Sequence, residues 1–198
     1  MLIYKLLFPT EILLSYSRFD LTYDLSEKVT KRWSYTLNQD SFKNEFPRPT
    51  KYFYDPKLPK EYQQKSLWSY GKGYDRGHLV RSYDMSGTFE SRHECNYITN
   101  ILPQKSTFNR GVWLNIEKKV SDLAMTNKLN VTGGVIFNDT SNDHFVESHG
   151  VKTPDFWWKI VVVNSNETLA WFIPNKENLK TESYYRLSVA DLKKEIDL

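Results

Sequence analysis

Short apolar segments with strand-like patterns constrain the fold more than any other feature of this chain. They are Phe19–Asp24, Lys31–Leu37, Leu129–Phe137, Asp155–Val163 and Thr168–Ile173. Two-residue alternation and runs of β-branched and aromatic side chains are typical of strands. The aromatic content of 15% also favours strands over a helical bundle. We expect a hairpin through 25–30, an antiparallel pair across 164–167, and a break in the third segment at Gly133-Gly134.

Other segments have helical or irregular patterns. Trp113, Ile116, Val120 and Leu123 form an apolar stripe over three helical turns, and Ser188 is placed to cap a helix over 188–196. Segment 96–102 predicts a short strand that ends at Pro103. Residues 40–73 lack periodicity and predict a long irregular segment, which in a compact domain is often functional. The chain of 198 residues therefore favours one α+β domain over residues 1–198.

The N-terminal stretch 1–14 is apolar but is interrupted by Lys5, Pro9 and Glu11. This pattern predicts a strand or a docking segment and gives no clear signal peptide, so the compartment is left open. No stretch approaches the ~20 apolar residues of a membrane span, and we expect no membrane partner. Cys95 is the only cysteine, which excludes an intramolecular disulfide and a cysteine-based structural zinc site.

Charge is unevenly distributed along the chain. The net charge is only +3, but residues 31–119 hold 16 basic and 9 acidic side chains, a net charge of +7. An excess of positive charge in one segment suits a polyanionic partner, because the local field matters more than the total charge. Taken alone, the excess of positive charge is better explained by ordinary solvated lysines.

Two segments within this basic region hold candidate catalytic residues. Tyr74–His78 ends in a histidine, and Asn109 follows 31 positions later within Pro103–Trp113. Both segments are turn-prone in sequence. Together they offer a proton acceptor, a permanent cation and an uncharged oxygen donor. Those are the groups needed to hydrolyse a phosphodiester with one hard metal ion, provided that the two segments meet in space.

His78 is the candidate general base, because imidazole accepts a proton near neutral pH. A lone histidine is more often structural. Here it follows Arg76 and Gly77, where arginine can form bidentate bonds to phosphate and glycine permits close backbone approach. His93, His144 and His149 lack such neighbours, and surface or structural roles are expected for them.

Asn109 is a candidate ligand for Mg²⁺, which keeps most of its waters and accepts few protein ligands. The alternative is that Asn109 caps a helix starting near Arg110. Glu117 lies eight positions further on, about 12 Å along a regular helix. Both residues could then not ligate one ion directly, so Asn109 is expected in a bend before the helix and Glu117 is expected to act through a water. The alternative for Glu117 is a solvated charge.

Two further polar residues and one competing metal site complete the candidates. Asn100 and Gln104 flank Pro103 and could orient the histidine or bind phosphate, or could equally be turn or capping residues. A zinc-dependent hydrolase would use His144 and His149, but their segment offers no third ligand.

These residues also carry a family resemblance. Asp75-Arg76-Gly77-His78 matches the DRGH signature of the DNA/RNA non-specific endonucleases, the ββα-metal nucleases that include endonuclease G. The second block, Asn100–Gln104, Asn109–Trp113 and Glu117, resembles the pattern N-x-x-P-Q…N-x-G-x-W-x-x-x-E with its order and spacing. Weaker similarity covers nearly the whole chain. The resemblance implies a ββα-metal finger on a mostly antiparallel central sheet flanked by helices.

The resemblance also implies roles for the site residues. His78 would be the general base, Asn109 the direct ligand of Mg²⁺ (or Mn²⁺), and Glu117 a group that holds a water of the ion. Arg76 would face the phosphate, and Arg48 is the match for a further arginine upstream. Asp75 would orient its neighbours. The residues expected to contact nucleic acid are Arg76, Asn100, Gln104 and Arg110.

The resulting hypothesis is a metal-dependent endonuclease that cleaves DNA and RNA, with little sequence specificity, to 5′-phosphate and 3′-hydroxyl ends. The expected partners are DNA and RNA backbones, whereas the sequence indicates no particular inhibitor protein or oligomeric state. The alternative, a catalytically silent nucleic-acid-binding module of the same fold, predicts phosphate binding without turnover.

Overall fold

A six-stranded antiparallel sheet forms the centre of the molecule, as seen in a computed structural model that describes residues 10–196. The strands are β1 (Glu11–Ser15), β2 (Phe19–Asp24), β3 (Val29–Leu37), β4 (Tyr74–His78), β5 (Ile101–Lys105), β6 (Leu129–Ile136), β7 (Phe156–Val163) and β8 (Glu167–Pro174). The central sheet has the order β1-β2-β3-β6-β7-β8, and β4 and β5 form a separate antiparallel pair. The predicted α+β class and mostly antiparallel sheet are confirmed.

The helices are short, apart from one. They are α1 (Phe89–Glu94), α2 (Ser106–Phe108), α3 (Leu114–Ala124), α4 (Val146–His149) and α5 (Val189–Glu195). A π-helical turn over Asn109–Trp113 joins α2 to α3. Strands β4 and β5 with the helical segment 106–124 form the expected ββα unit. No helix within residues 10–196 has the length and apolar character that crossing a bilayer requires.

The helices cover both faces of the central sheet. Alternation along β7 turns Trp157 and Lys159 towards the large core cluster. There the ring of Trp113, the last residue of the π-helical turn, packs 5.4 Å from the Trp157 ring. Trp158 points to the opposite face and packs with Leu192 of α5. The predicted stripe on α3 is buried at Ile116 and Val120.

Most predicted elements lie where the periodicity placed them. The β2–β3 hairpin, the β7–β8 pair and the closing helix are confirmed, and the Ser188 side chain accepts a hydrogen bond from the Asp191 amide as an N-cap. Residues 40–73 hold no strand or α-helix, only turns of 3₁₀ helix. The predicted N-terminal strand is β1, and the first nine residues of that prediction lie outside the described part of the chain. The single domain over 1–198 stays a prediction.

Three local predictions are wrong. Tyr74–His78 is a strand and not a turn, because it pairs with β5 from Tyr74↔Lys105 to His78↔Ile101. The strand predicted over 96–102 is instead a 3₁₀ turn at Ile98–Asn100 followed by β5, which contains Pro103. Proline is tolerated there because β5 pairs only with β4. The other edge of β5 has no neighbouring strand, so the missing N–H of Pro103 breaks no hydrogen bond on that side.

The third error concerns β6, which runs through Gly133 and Gly134 without a break. A Cβ at Gly133 would lie 2.2 Å from the Trp33 ring, and one at Gly134 would lie 2.4 Å from the Trp158 ring. The two glycines therefore make room for indole rings on opposite faces of the sheet.

Candidate active site

A cleft of about 290 Å³ lies where β4, the segment that follows it and α3 meet. Its lining includes Arg48, Arg76, His78, Arg81, Arg92, Asn109, Arg110 and Glu117. Five guanidinium groups face one carboxylate in this lining, so the cleft is suited to a polyanion. The structure thus brings together the two segments that sequence placed 31 positions apart.

The His78 imidazole lies at the end of β4 with one nitrogen held by an amide. His78 Nε2 is 3.0 Å from Asn96 Oδ1, and Asn96 Nδ2 donates to the carbonyl oxygens of Pro49 and Lys51 at 3.1 and 2.9 Å. Because Nδ2 has two acceptors, Oδ1 must be the acceptor for His78. The proton of neutral His78 is therefore on Nε2, which leaves a lone pair on Nδ1.

Burial, followed by the positive charge of Arg48, lowers the pKa of His78 from 6.5 to about 3. The imidazole is therefore neutral across the physiological range. A neutral ring with a free Nδ1 lone pair has the protonation state that a general base requires.

Asn109 begins the π-helical turn and does not cap a helix with its side chain. Its Nδ2 donates to Asp75 Oδ2 at 2.9 Å, which leaves Oδ1 as the atom that can face a cation. Gly111 has φ −106° and ψ −109°, outside helical values, and so separates Asn109 from the regular helix that holds Glu117. The predicted bend before the helix is present.

Asp75 fixes the neighbourhood of Asn109. Its carboxylate accepts two hydrogen bonds from Arg110, at 2.8 and 2.7 Å, and one from Ser106 Oγ at 2.9 Å. Burial alone would raise the pKa of Asp75, but the hydrogen bonds from Arg110, Asn109 and Ser106 hold it below its usual value. Asp75 is therefore a permanent anion that orients the Asn109 amide rather than the histidine.

Glu117 is buried at the floor of the cleft, so the alternative of a solvated charge is wrong. Its Oε2 is 3.5 Å from Arg81 Nε, and Arg81 Nη1 also donates to Ser121 Oγ at 2.6 Å. Burial raises the pKa of Glu117 above its usual value, and the charges of Lys159 and Arg81 reduce this rise without cancelling it. The two cations favour the ionised carboxylate in a poorly hydrated position.

Arg48 and Arg76 meet at one tyrosine ring. The Arg76 guanidinium lies 4.1 Å from the Tyr52 ring centroid and donates to the Leu67 carbonyl oxygen at 2.8 Å. Arg48 Nη2 donates to the Tyr52 hydroxyl at 3.3 Å. Tyr52 thus positions two cations beside His78, whose ring is 5.7 Å from its own. Arg48 thus lines the cleft together with Arg76.

Asn100 and Gln104 do not reach the cleft. Asn100 is fully buried and exchanges hydrogen bonds with the Val80 backbone, and Gln104 is fully buried against Gly77, where a Cβ would lie 2.4 Å from Gln104 Oε1. Neither side chain is placed to bind phosphate or to orient His78. Their expected contact with nucleic acid is wrong for this structure, because both side chains are fully buried and neither lines the cleft.

Sequence reasoning missed three residues of the site. Asn96 holds the histidine, Arg81 holds Glu117, and Arg92 lines the cleft with its guanidinium bound to the Ser82 carbonyl oxygen. Arg81 lies only three positions after His78, so its place near the site could have been predicted from the sequence. Nothing in the sequence indicates Asn96 or Arg92, because their positions depend on how α1 and the 3₁₀ turn Ile98–Asn100 pack.

The hard oxygen donors of the site suit Mg²⁺. Asn109 and Glu117 supply the amide and carboxylate oxygens of the cleft lining, and a hydrated Mg²⁺ accepts few protein ligands. Within residues 10–196, no three His, Cys, Asp or Glu side chains cluster as a metal site. His149 is buried with Nε2 3.3 Å from the Trp68 carbonyl oxygen, so the zinc site with His144 has no support.

The chain is similar to known nucleases over most of its length. The family model described as DNA/RNA non-specific endonuclease matches residues 3–197. A nuclease of Nostoc sp. is 28% identical over 200 residues, covering 93% of this chain and 71% of that protein. The mitochondrial nuclease EXOG of Mus musculus is 25% identical over 198 residues, covering 90% of this chain and 54% of that protein. The chain thus spans little more than half of the mouse relative.

A solved structure shows the same fold. The crystal structure of an EndoG/EndoGI complex, which concerns the mechanism of EndoG inhibition, superposes with a TM-score of 0.78 at 20% identity, over 94% of this chain and 84% of that one. The ββα unit and the antiparallel sheet are therefore an established architecture. From the match along nearly its whole length, the chain belongs to the DNA/RNA non-specific endonuclease family.

Proposed function

We propose that this chain is a metal-dependent endonuclease that hydrolyses phosphodiester bonds of DNA and RNA with little sequence specificity. The observation that carries the proposal is the cleft in which the His78 imidazole, the Asn109 amide and the guanidinium groups of Arg48 and Arg76 converge. Family membership and the nuclease relatives support the class of reaction.

His78 takes the proton from the attacking water in this mechanism. Nδ1 is the acceptor, because Asn96 holds the proton on Nε2. The depressed pKa keeps the imidazole in its basic form before each turnover. After the transfer, the imidazolium gains a charge-assisted hydrogen bond to Asn96 Oδ1.

Arg48 and Arg76 bind the non-bridging oxygens of the scissile phosphate. Both are held by Tyr52 before the substrate arrives, so little reorganisation is needed when negative charge grows in the transition state. Contacts to phosphates carry no base information, so low sequence specificity follows.

Asn109 Oδ1, and Glu117 through a water, would hold Mg²⁺, with Mn²⁺ as an alternative ion. A bound divalent cation supplies charge to the scissile phosphate and to the 3′ oxygen that leaves. Asp75 keeps the Asn109 amide oriented, and Arg81 keeps Glu117 in place.

Products with 5′-phosphate and 3′-hydroxyl ends follow from attack by water with departure of the 3′ oxygen. A water nucleophile needs no ribose 2′-hydroxyl, so DNA and RNA are both substrates in this proposal.

Digestion of plasmid DNA and of RNA, with Mg²⁺ or with a chelator, tests the proposal. We expect His78→Ala to lower kcat at least about 100-fold with its fold unchanged by circular dichroism, because a general base contributes on that scale. His144→Ala is the matched control, since His144 is exposed and lies outside the cleft lining. Turnover by His78→Ala at the wild-type rate would refute the base assignment. Binding without cleavage by the wild-type protein would favour the silent module.

Asn109→Ala tests the metal ligand separately. We expect it to weaken Mn²⁺ binding measured by calorimetry as well as to lower the cleavage rate, because it removes the proposed direct ligand. Unchanged Mn²⁺ affinity would contradict this role.

A further inference from the structure

One tryptophan differs from all the others in its environment. Trp68 exposes 83% of its surface, whereas the other tryptophans are buried. The buried ones are Trp33, Trp113, Trp157, Trp158 and Trp171. A single exposed apolar side chain is ordinary on a protein surface. The position of Trp68, and not its exposure alone, indicates a binding role.

The backbone that carries Trp68 is held in place on both sides of the residue. The Trp68 amide donates to Ser66 Oγ at 3.1 Å, and its carbonyl oxygen accepts from His149 Nε2 at 3.3 Å. His149 is buried and its ring packs 4.7 Å from the Tyr70 ring. The indole therefore projects into solvent from a fixed base, which lowers the entropy cost of stacking a ligand against it.

The same backbone binds a cation of the active site. The Leu67 carbonyl oxygen, one residue before Trp68, accepts the hydrogen bond from Arg76 Nη1 at 2.8 Å. Arg76 lines the cleft two residues before His78. A strand whose phosphate is bound by Arg76 would therefore place a neighbouring nucleotide close to the Trp68 ring.

The chain segment that carries Trp68 has an excess of basic residues, which suits a nucleic-acid strand, and α4, which contacts it through His149, adds the exposed Glu147. No acidic residue lies between Glu61 and Asp75, and Lys65 and Lys72 in this interval are exposed. Sites for single-stranded nucleic acid combine cations along the backbone with an aromatic ring for the base, as this surface does.

We propose that Trp68 stacks against an unpaired base next to the phosphate bound by Arg76, and so makes the site favour single-stranded or locally melted nucleic acid. The inference rests on the proposed nuclease function. Bases within a duplex are stacked on both faces, so the indole has no free base to contact until the strands separate. Stacking accepts every base, which agrees with low sequence specificity.

Cleavage kinetics with three substrates in Mg²⁺ test the inference. They are a single-stranded oligothymidylate of about 12 nucleotides, an abasic oligomer of the same length, and a hairpin duplex with the same number of phosphates. We expect Trp68→Ala to raise KM for the oligothymidylate about tenfold and to change KM for the other two less than about twofold. Trp68→Phe should retain most of the preference, because phenylalanine also offers a ring.

Tyr184→Ala is the matched control. Its ring is 62% exposed, but Tyr184 lies in the 3₁₀ turn Glu182–Tyr185 and does not line the cleft. We expect this variant to behave as the wild-type protein with all three substrates.

Two results would overturn the inference. If Trp68→Ala raised KM equally for all three substrates, Trp68 would act through general packing or charge and not by stacking on a base. If KM changed for none of them, Trp68 would not contact the substrate, and its ring would be exposed for another partner, such as a protein. Failure of the proposed function is a different result, namely no cleavage of any substrate by the wild-type protein. Anisotropy of the labelled oligothymidylate in chelator would then still measure the contribution of Trp68 to binding.

Discussion

At the residue scale, one amide decides which histidine nitrogen can accept a proton. Asn96 is anchored by two carbonyl oxygens, so it can only accept from His78 Nε2. The hydrogen bond to Asn96 stabilises the protonated ring and so raises the pKa of His78, whereas burial and the charge of Arg48 destabilise the protonated ring and lower the pKa. The reactivity of His78 is therefore set by a residue 18 positions away that does not touch the reacting atoms.

The low pKa of His78 has a consequence for stability. The unfolded chain binds a proton at His78 below about pH 6.5, and the folded protein does so only near pH 3. Above about pH 6.5, His78 therefore contributes nothing to the pH dependence of the free energy of unfolding. Its burial costs stability progressively as the pH falls from about 6.5 towards 3, and the cost is constant below that.

Substitution Asn96→Asp should leave less of His78 in its neutral form at acid pH. A carboxylate at this position stabilises the imidazolium, so we expect the pKa of His78 to rise and the acid limb of the kcat/KM profile to move to higher pH. The pKa of His78 is measured by NMR titration of the ring protons in the metal-free protein. An acid limb and an imidazole titration identical to those of the wild type would show that Asn96 does not control the base.

At the element scale, glycine in β6 serves packing across the sheet. Gly133 pairs with Trp33 of β3, and the indole of that tryptophan lies over the glycine. The sequence pattern suggested a break, since glycine weakens an isolated strand. In the sheet, pairing with β3 on one side and β7 on the other keeps the strand continuous.

We expect Gly133→Ala to lower the free energy of unfolding by about 1–3 kcal/mol, because its Cβ would overlap the buried Trp33 ring, which cannot move. Urea denaturation followed by fluorescence measures the change. Asn130→Ala is the control, since Asn130 is an exposed residue of the same strand and should change stability by less than about 0.5 kcal/mol. Equal stability of the two variants would contradict the close packing.

At the scale of the whole molecule, the active site rests on a balanced cluster of buried charges. It consists of two cations, Arg81 and Lys159, and two anions, Asp84 and Glu117. Lys159 of β7 is fully buried with its Nζ 4.4 Å from the Trp113 ring centroid. Asp84 accepts hydrogen bonds from Ser121 Oγ at 2.9 Å and from the Tyr35 hydroxyl at 3.0 Å. The central sheet, the ββα unit and the cleft are thus joined through one electrostatic network.

Lys159→Met should destabilise the protein by about 3–5 kcal/mol, because it leaves two buried carboxylates with one cation. It should also raise the pKa of Glu117, whose ionised form Lys159 favours. Lys118→Met is the matched control, since Lys118 is exposed on α3 and should change stability by less than about 0.5 kcal/mol. Urea denaturation measures the free energy of unfolding of both variants. If Lys159→Met were as stable as Lys118→Met, the buried charges would not need Lys159.

The sequence alone determined the strand segments, the class of the fold and the chemical groups of the site. Periodicity is a local property, and so β2, β3, β7, β8 and the stripe on α3 could be predicted from it. His78 and Asn109 line one cleft, and the sequence singled out both because they lie in two motifs that resemble those of the family.

Only the tertiary structure decided which side chains face the cleft. Arg92 lines it, Asn96 is buried against His78, and Asn100 and Gln104 are buried away from it, although all four are polar residues in neighbouring segments. Their orientation depends on contacts between residues far apart in the chain, such as Asn96 with Pro49 and Gly77 with Gln104. Such contacts follow from how the elements pack against each other, which no local pattern encodes.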